Sequence, residues 1–181
     1  MKTIHKNYNN RWYKPGSFFK RTIWYFVNLI FFKSSCFPFS KLKVIILRIF
    51  GAKVGDGVVI KPNVSIKYPW FLKIGSYSWI GEEVWIDNLA NVELGDNVCL
   101  SQNALLLCGN HNFKLTSFDL IIKPIILEDG VWIGAKSVVC GGVVCHSHSV
   151  LTVGSVTSKS LDAYSIYKGN PAVKIKDRVI E

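Results

Sequence analysis

The side chains best suited to move protons or hold a metal near neutral pH in this 181-residue chain are the imidazoles of His111, His146 and His148. His111 lies at the start of an irregular stretch, Leu107-Cys-Gly-Asn-His-Asn-Phe-Lys-Leu-Thr-Ser-Phe-Asp-Leu-Ile-Ile-Lys-Pro-Ile-Ile126, with regular sequence on both sides. A loop leaving a rigid scaffold is a common place for chemistry, and a histidine there can serve as a general base. The plainer alternative is a surface histidine in a polar loop. Asp87 and Asn88 offer hydrogen-bonding groups to a polar ligand, and equally suit a corner, because Asp and Asn favour turns. Five cysteines (Cys36, Cys99, Cys108, Cys140, Cys145) show no CxxC spacing and read as reduced, buried thiols of a cytosolic protein.

The regular sequence that must position these groups repeats every sixth residue. Aliphatic side chains recur at Val54, Ile60, Ile66, then Ile74, Ile80, Ile86, then Leu94, Leu100, Leu106, with two-residue slips after Ile66 and Ile86. The register resumes at Leu127, Ile133, Val139, Cys145 and Leu151. Four positions after most marks stands a small or β-branched residue, as at Val58, Ser78, Val98, Ala104, Ser137 and Ser155. Such a period fits neither an amphipathic helix nor a two-sided strand. It fits a short flat strand followed by a sharp corner, three of which close one triangular coil with the aliphatics stacked inside. Gly55-Asp-Gly57, Gly95-Asp-Asn97 and Asp129-Gly130 are expected to supply the backbone freedom of the corners.

Before the repeats lies a segment of different character. Residues 1–53 carry eleven Lys and Arg and no Asp or Glu, so the formal charge of +10 is N-terminal in origin. Its apolar run, Thr22-Ile-Trp-Tyr-Phe-Val-Asn-Leu-Ile-Phe-Phe32, is flanked by Lys20, Arg21 and Lys33 and falls short of the about 20 residues a spanning helix needs. Two compatible readings remain: the segment lies in a membrane interface, or it folds back over one end of the core. The expected organisation is an N-terminal helical, basic arm over 1–50, a repeat domain over 51–176 with an excursion at 107–126, and a tail at 177–181.

The hexads, together with Leu47-Arg-Ile-Phe-Gly-Ala-Lys-Val-Gly55, Tyr68-Pro-Trp70 and Gly169-Asn-Pro-Ala172, resemble the hexapeptide-repeat acyltransferases, and among them the exopolysaccharide branch of the colanic acid type. The resemblance implies an all-β fold, a left-handed parallel β-helix assembled as a homotrimer, with the helical basic-aromatic segment at its N-terminus. It implies an O-acetyltransferase that uses acetyl-CoA as co-substrate, without a metal, on a saccharide acceptor, with His111 as general base. Asp87, Asn88 and Trp132 would face the acceptor, with outward packing between subunits as the other reading of Trp132. Within Val131-Trp-Ile-Gly-Ala135 the Ala135 N–H would meet the thioester, Val153 and Gly154 would continue the groove, and Lys159 and Lys176 would face the CoA phosphates or simply be solvated. Relatives often carry Asp after this histidine where the chain has Asn112, so Asp119, Glu128 or a backbone carbonyl must fix the imidazole. Relatives also often carry Arg where Val173 stands.

Two rivals are set against this. A γ-carbonic anhydrase-like hydratase shares the fold and uses three histidines, but His111 is sixth in its hexad and His146 second, so they should not share a groove. In a non-enzymatic β-helix binding module the basic arm would hold nucleic acid; no nucleic-acid motif accompanies the arm, and no nucleic-acid partner is expected. The expected location is cytoplasmic, with peripheral contact at the inner membrane face through residues 1–50.

Overall fold

A computed structural model describes residues 2–181. From Lys53 onward the chain winds through three flat faces in turn, and each face is a stack of parallel strands. The first face carries Lys53–Val54, Leu72–Ile74, Val92–Leu94, Ile125–Leu127 and Val144–Cys145. The second carries Val59–Ile60, Trp79–Ile80, Cys99–Leu100, Trp132–Ile133, Val150–Leu151 and Ser165–Gly169, and the third Ser65–Ile66, Trp85–Asp87, Leu105–Leu107, Val138–Cys140 and Val156–Thr157. This is the triangular coil expected from the hexads, in the left-handed parallel β-helix that the resemblance implied.

Strand register explains why the sixth positions are aliphatic. Val54, Ile74, Leu94, Leu127 and Cys145 pair in line on the first face, and Ile60, Ile80, Leu100, Ile133 and Leu151 on the second. On the third face Ile66, Ile86, Leu106 and Val139 are followed by Thr157. Nearly all of these side chains are fully buried, forming one continuous column of apolar contacts. The small residues four places on fill the corners of that column. There Ser78 and Ser137 donate to Gly95 O and Thr152 O and accept from Val98 N and Ser155 N, so their burial leaves no hydroxyl unpaired.

The corner glycines divide by role. Gly57 and Gly130 adopt positive φ, as does Asn97, in keeping with the expected corner freedom. Gly55 and Gly95 do not, which corrects that expectation for them: a Cβ at Gly95 would stand 2.3 Å from Asp129 Oδ1 and 2.8 Å from Asp129 N. Glycine is there because neighbouring coils approach too closely for any side chain. Positive φ is also carried by Tyr77, Glu83 and Lys136, residue types that the turn rules do not single out.

The N-terminal segment folds back over the first coil. Helix α1 (Phe18–Val27), capped by Ser17, runs on into a π-turn at Asn28–Phe32, and helix α2 (Ser40–Ile49) follows. The first strand of each stack has an open edge whose backbone groups need partners. Trp24 Nε1 donates to Ile66 O (2.9 Å) and Asn28 Oδ1 accepts from Ile66 N (3.3 Å). Ser40 Oγ bonds both N and O of Ile60, and Lys43 Nζ donates to Lys61 O (2.8 Å). Burial pushes the Lys43 ammonium down to about 8. The opposite end is closed by the antiparallel hairpin Ser165–Gly169 and Ala172–Asp177. No helix among the described residues is long and apolar enough to cross a membrane.

Candidate active site

The excursion expected at 107–126 leaves the corner between the third and first faces and contains a two-stranded antiparallel hairpin, Gly109–His111 with Leu120–Ile122. Gly109 lets it start close to the scaffold, since a Cβ there would meet Leu89 Cδ1 at 2.7 Å and Asp87 Oδ2 at 3.7 Å. His111 closes the first strand, half-buried, and its Nδ1 lies 2.9 Å from Phe118 O. Only a protonated Nδ1 can donate to that carbonyl, so Nε2 carries the lone pair. The Phe118 ring stacks on the imidazole, centroids 4.4 Å apart and planes 7° from parallel. Phe118 holds φ 54°, a left-handed conformation that is costly for a bulky residue. Tyr8 packs against the imidazole from the N-terminal segment (5.8 Å between centroids), and Ile4 N donates to Thr116 O (2.8 Å).

Of the three groups offered by sequence for fixing His111, the backbone carbonyl does so. Asp119 contributes only its own carbonyl, to Asn112 N (2.8 Å). Glu128 is at another corner, where Oε2 accepts from Ser147 N and Oγ and Oε1 meets His146 Nδ1. The Ser147 hydroxyl first, then His146, holds its carboxyl below the usual range. His148 stacks on Tyr164 at that corner. His111 and the His146 and His148 pair therefore stand on different edges of the prism, as their hexad positions implied.

Asp87 lies directly beneath the hairpin. Its carbonyl accepts from Cys108 N and Leu89 N, and its carboxylate is largely buried, 3.9 Å from Lys67 Nζ. Burial raises the Asp87 pKa, and the Lys67 charge partly offsets this. Tyr13 donates to Leu89 O (2.6 Å) beside it. Burial, with Tyr68 and Asp87 nearby, pushes this phenol up, so it stays neutral. Asn88 departs from expectation. It is fully buried, and its side chain bonds Lys67 N, Tyr68 N and Tyr68 O, so within the chain it ties adjacent coils together and presents no polar atom to a sugar.

The remaining sequence-derived residues gather elsewhere. Trp132 stands outward on the second face between Cys99 and Val150, its indole N–H donating to Ser101 Oγ (2.9 Å). Ala135 occupies the corner between the second and third faces, and its N–H has no acceptor among the described residues. One coil on, Gly154 N donates to Ala135 O (2.8 Å), and the space beside Gly154 is open. Val153 is exposed there. Lys159 is exposed just past the last strand of the third face, and Lys176 is exposed on the terminal hairpin opposite Ile166. Within one chain, then, His111 and the Ala135 corner lie on different edges.

Sequence reasoning missed Tyr8, Tyr13 and Phe118. Phe118 had a signal, an aromatic seven residues past the histidine in the same loop; Tyr8 and Tyr13 had none, because their partners His111 and Leu89 are remote in sequence. Two buried thiols are poor nucleophiles: burial pushes Cys108 up to about 11 and Cys145 to about 12. Cys36 is exposed, which corrects the expectation that every thiol is buried.

A parallel β-helix with one histidine-bearing excursion is the arrangement that the resemblance to the hexapeptide-repeat acyltransferases implied. No family model matches the chain. The chain is 34% identical over 167 residues to the Escherichia coli K12 protein WcaF, named as a colanic acid biosynthesis acetyltransferase, covering 92% of each. It is 28% identical over 134 residues to the galactoside O-acetyltransferase of the same organism, covering 70% of this chain and 64% of that one. A hexapeptide-repeat acetyltransferase of Vibrio cholerae, solved with acetyl-CoA, superposes with TM-score 0.80 at 21% identity, over 89% of this chain and 88% of the other. The chain belongs to the hexapeptide-repeat acetyltransferases, in the colanic acid acetyltransferase branch.

Proposed function

We propose that the protein transfers acetyl from acetyl-CoA to a sugar hydroxyl during polysaccharide assembly at the cytoplasmic side of the membrane. The observation that carries this is the His111 imidazole, held by Phe118 O with its Nε2 lone pair free, on a chain of this family. The acceptor hydroxyl gives its proton to Nε2 as its oxygen attacks the thioester carbon. The resulting imidazolium is supported by the Phe118 carbonyl on the far side. Collapse of the tetrahedral intermediate breaks the C–S bond, and the CoA thiolate takes the proton back. The Ala135 N–H supplies the oxyanion contact, Val153 and Gly154 line the pantetheine groove, and Lys159 and Lys176 meet the CoA phosphates. Asp87 and Trp132 contact the acceptor.

Because His111 and Ala135 occupy different edges of one prism, the complete site forms between neighbouring subunits of a homotrimer. The N-terminal segment contributes peripheral membrane contact: Phe18, Phe19, Ile23 and Phe26 of α1 are 67%, 77%, 55% and 55% exposed beside the basic residues. Exchange of Phe19 and Phe26 for Glu should abolish partition onto anionic vesicles, and unchanged partition would remove this contact.

The deciding experiment is thiol release from acetyl-CoA across nucleotide sugars and lipid-linked saccharides, comparing parent with His111→Ala. General-base loss should lower turnover roughly 10²–10⁴-fold while acetyl-CoA affinity is kept. Equal turnover with the true acceptor would exclude His111 as the base.

A further inference from the structure

We infer that the groove between α1 and the third face is a binding site for the phosphoryl head of a lipid-carried acceptor. The groove has a volume of about 300 Å³ and is lined by Arg21, Lys33 and Lys67, with Tyr25, Tyr68 and Trp85 as aromatic walls. No carboxylate lines it among the described residues. Its most telling residue is Arg21, which lines it and whose Nε is buried with no hydrogen-bond partner among the described residues. A buried guanidinium N–H left unpaired is costly, and an anionic oxygen is the partner its fork geometry suits best. Lys33 and Lys67 add two further cations around the same space. A diphosphate matches the charge of Arg21 and Lys33 and what Asp87, 3.9 Å from Lys67, leaves of the third cation, whereas a neutral saccharide supplies no counter-charge.

Two features choose a lipid-carried anion over a soluble one. On the helix that supplies Arg21, the exposed Phe18 and Phe26 share a shallow depression with Arg21 and Tyr25, so a chain leaving the phosphoryl group meets apolar side chains beside the groove. The groove also leads to the catalytic hairpin. Trp85 and Asp87 share one strand, Lys67 reaches Asp87 at 3.9 Å, and Asp87 lies against Gly109, two residues before His111. A sugar attached to a diphosphate seated here would extend toward that imidazole. The identity of the sugar-bearing ligand rests on the acetyltransferase reading, but occupancy of the groove does not.

The test is equilibrium binding to the full chain, read by tryptophan fluorescence from Trp24 and Trp85 at the groove, with farnesyl diphosphate, farnesol and inorganic pyrophosphate as probes. Farnesyl diphosphate should saturate and bind more tightly than either of the others. Arg21→Gln and Lys67→Gln should each weaken it about tenfold, with thermal midpoint and acetyl-CoA binding retained. Should Arg21→Gln fail to fold, Lys33→Gln carries the same expectation. His111→Ala should bind the probe like the parent, so failure of the transferase reading and failure of this site are separable. Farnesol or pyrophosphate binding as tightly as farnesyl diphosphate, or full affinity in the charge variants, would overturn the proposal.

Discussion

Phe118 holds His111 twice, by a carbonyl oxygen 2.9 Å from Nδ1 and by a ring stacked 4.4 Å from the imidazole. The two contacts can be separated, because Phe118→Ala removes the ring and leaves the carbonyl. An aromatic pair contributes about 0.5–1.5 kcal/mol, so kcat should fall about 2- to 10-fold with acetyl-CoA KM unchanged. Steady-state kinetics on the productive acceptor check this. A loss as large as that of His111→Ala would mean that the ring, not the carbonyl, sets the reactive geometry.

Asn112 takes the place at which relatives often carry a carboxylate. Here its amide oxygen accepts from Lys114 N (3.2 Å), an arrangement that shapes the loop. Since the Phe118 carbonyl already fixes the tautomer, Asn112→Asp should change kcat by less than about threefold, within the scale of an exposed charge effect. A pH–rate profile decides it: an acidic limb displaced to higher pH would show that a new carboxylate has reached the imidazole.

The fold was legible in the sequence because one inward side chain per short strand leaves a period that no helix or ordinary sheet produces. The aligned column from Val54 to Cys145 is that period made physical. His111 was legible because the period stops around it. What orients it was not, since a backbone carbonyl has no residue-type signature and Phe118 earns no attention by type alone. Asn88 shows the converse: its polar type suggested a ligand contact, but a fully buried amide bonded to Lys67 and Tyr68 serves the scaffold. The N-terminal segment was half legible: its charge was visible at once and folding back over one end of the core was one of two readings, but the bonds that do so, such as Trp24 to Ile66, show only in the structure.

Two glycines should respond oppositely to alanine. At Gly75 a Cβ would stand 2.3 Å from Gly95 C and 2.4 Å from Gly95 O, so adjacent coils must part. Overpacking of this kind should cost about 3 kcal/mol, lowering Tm by about 6–12 °C. At Gly154 the space is open and only φ +66° is strained, a cost of about 1 kcal/mol. Its new methyl would enter the proposed pantetheine groove, so acetyl-CoA KM should rise in Gly154→Ala and not in Gly75→Ala. Calorimetry and kinetics on both variants test the pair, and the reverse pattern would contradict the assigned groove.

Lys43 offers a pH test of how the N-terminal helices close the β-helix. Its ammonium is buried against Lys61 O, and burial lowers its pKa from 10.5 to about 8. Below pH 8 both folded and unfolded chains hold the proton, and the fold bears the full cost of a buried charge. Between pH 8 and 10.5 the unfolded chain keeps a proton that the folded chain has released, so this residue's contribution to stability rises with pH. The full gain across that window is about 3.5 kcal/mol, at ~1.4 kcal/mol per pKa unit. Cys108 and Cys145, with raised pKa values, act in the opposite sense over an overlapping range. The readout is therefore the difference in unfolding free energy between parent and Lys43→Met, in which those thiols cancel. That difference should grow in the parent's favour from pH 8 to 10; one that stays flat would show the amine to be solvated and the helices to dock without burying its charge.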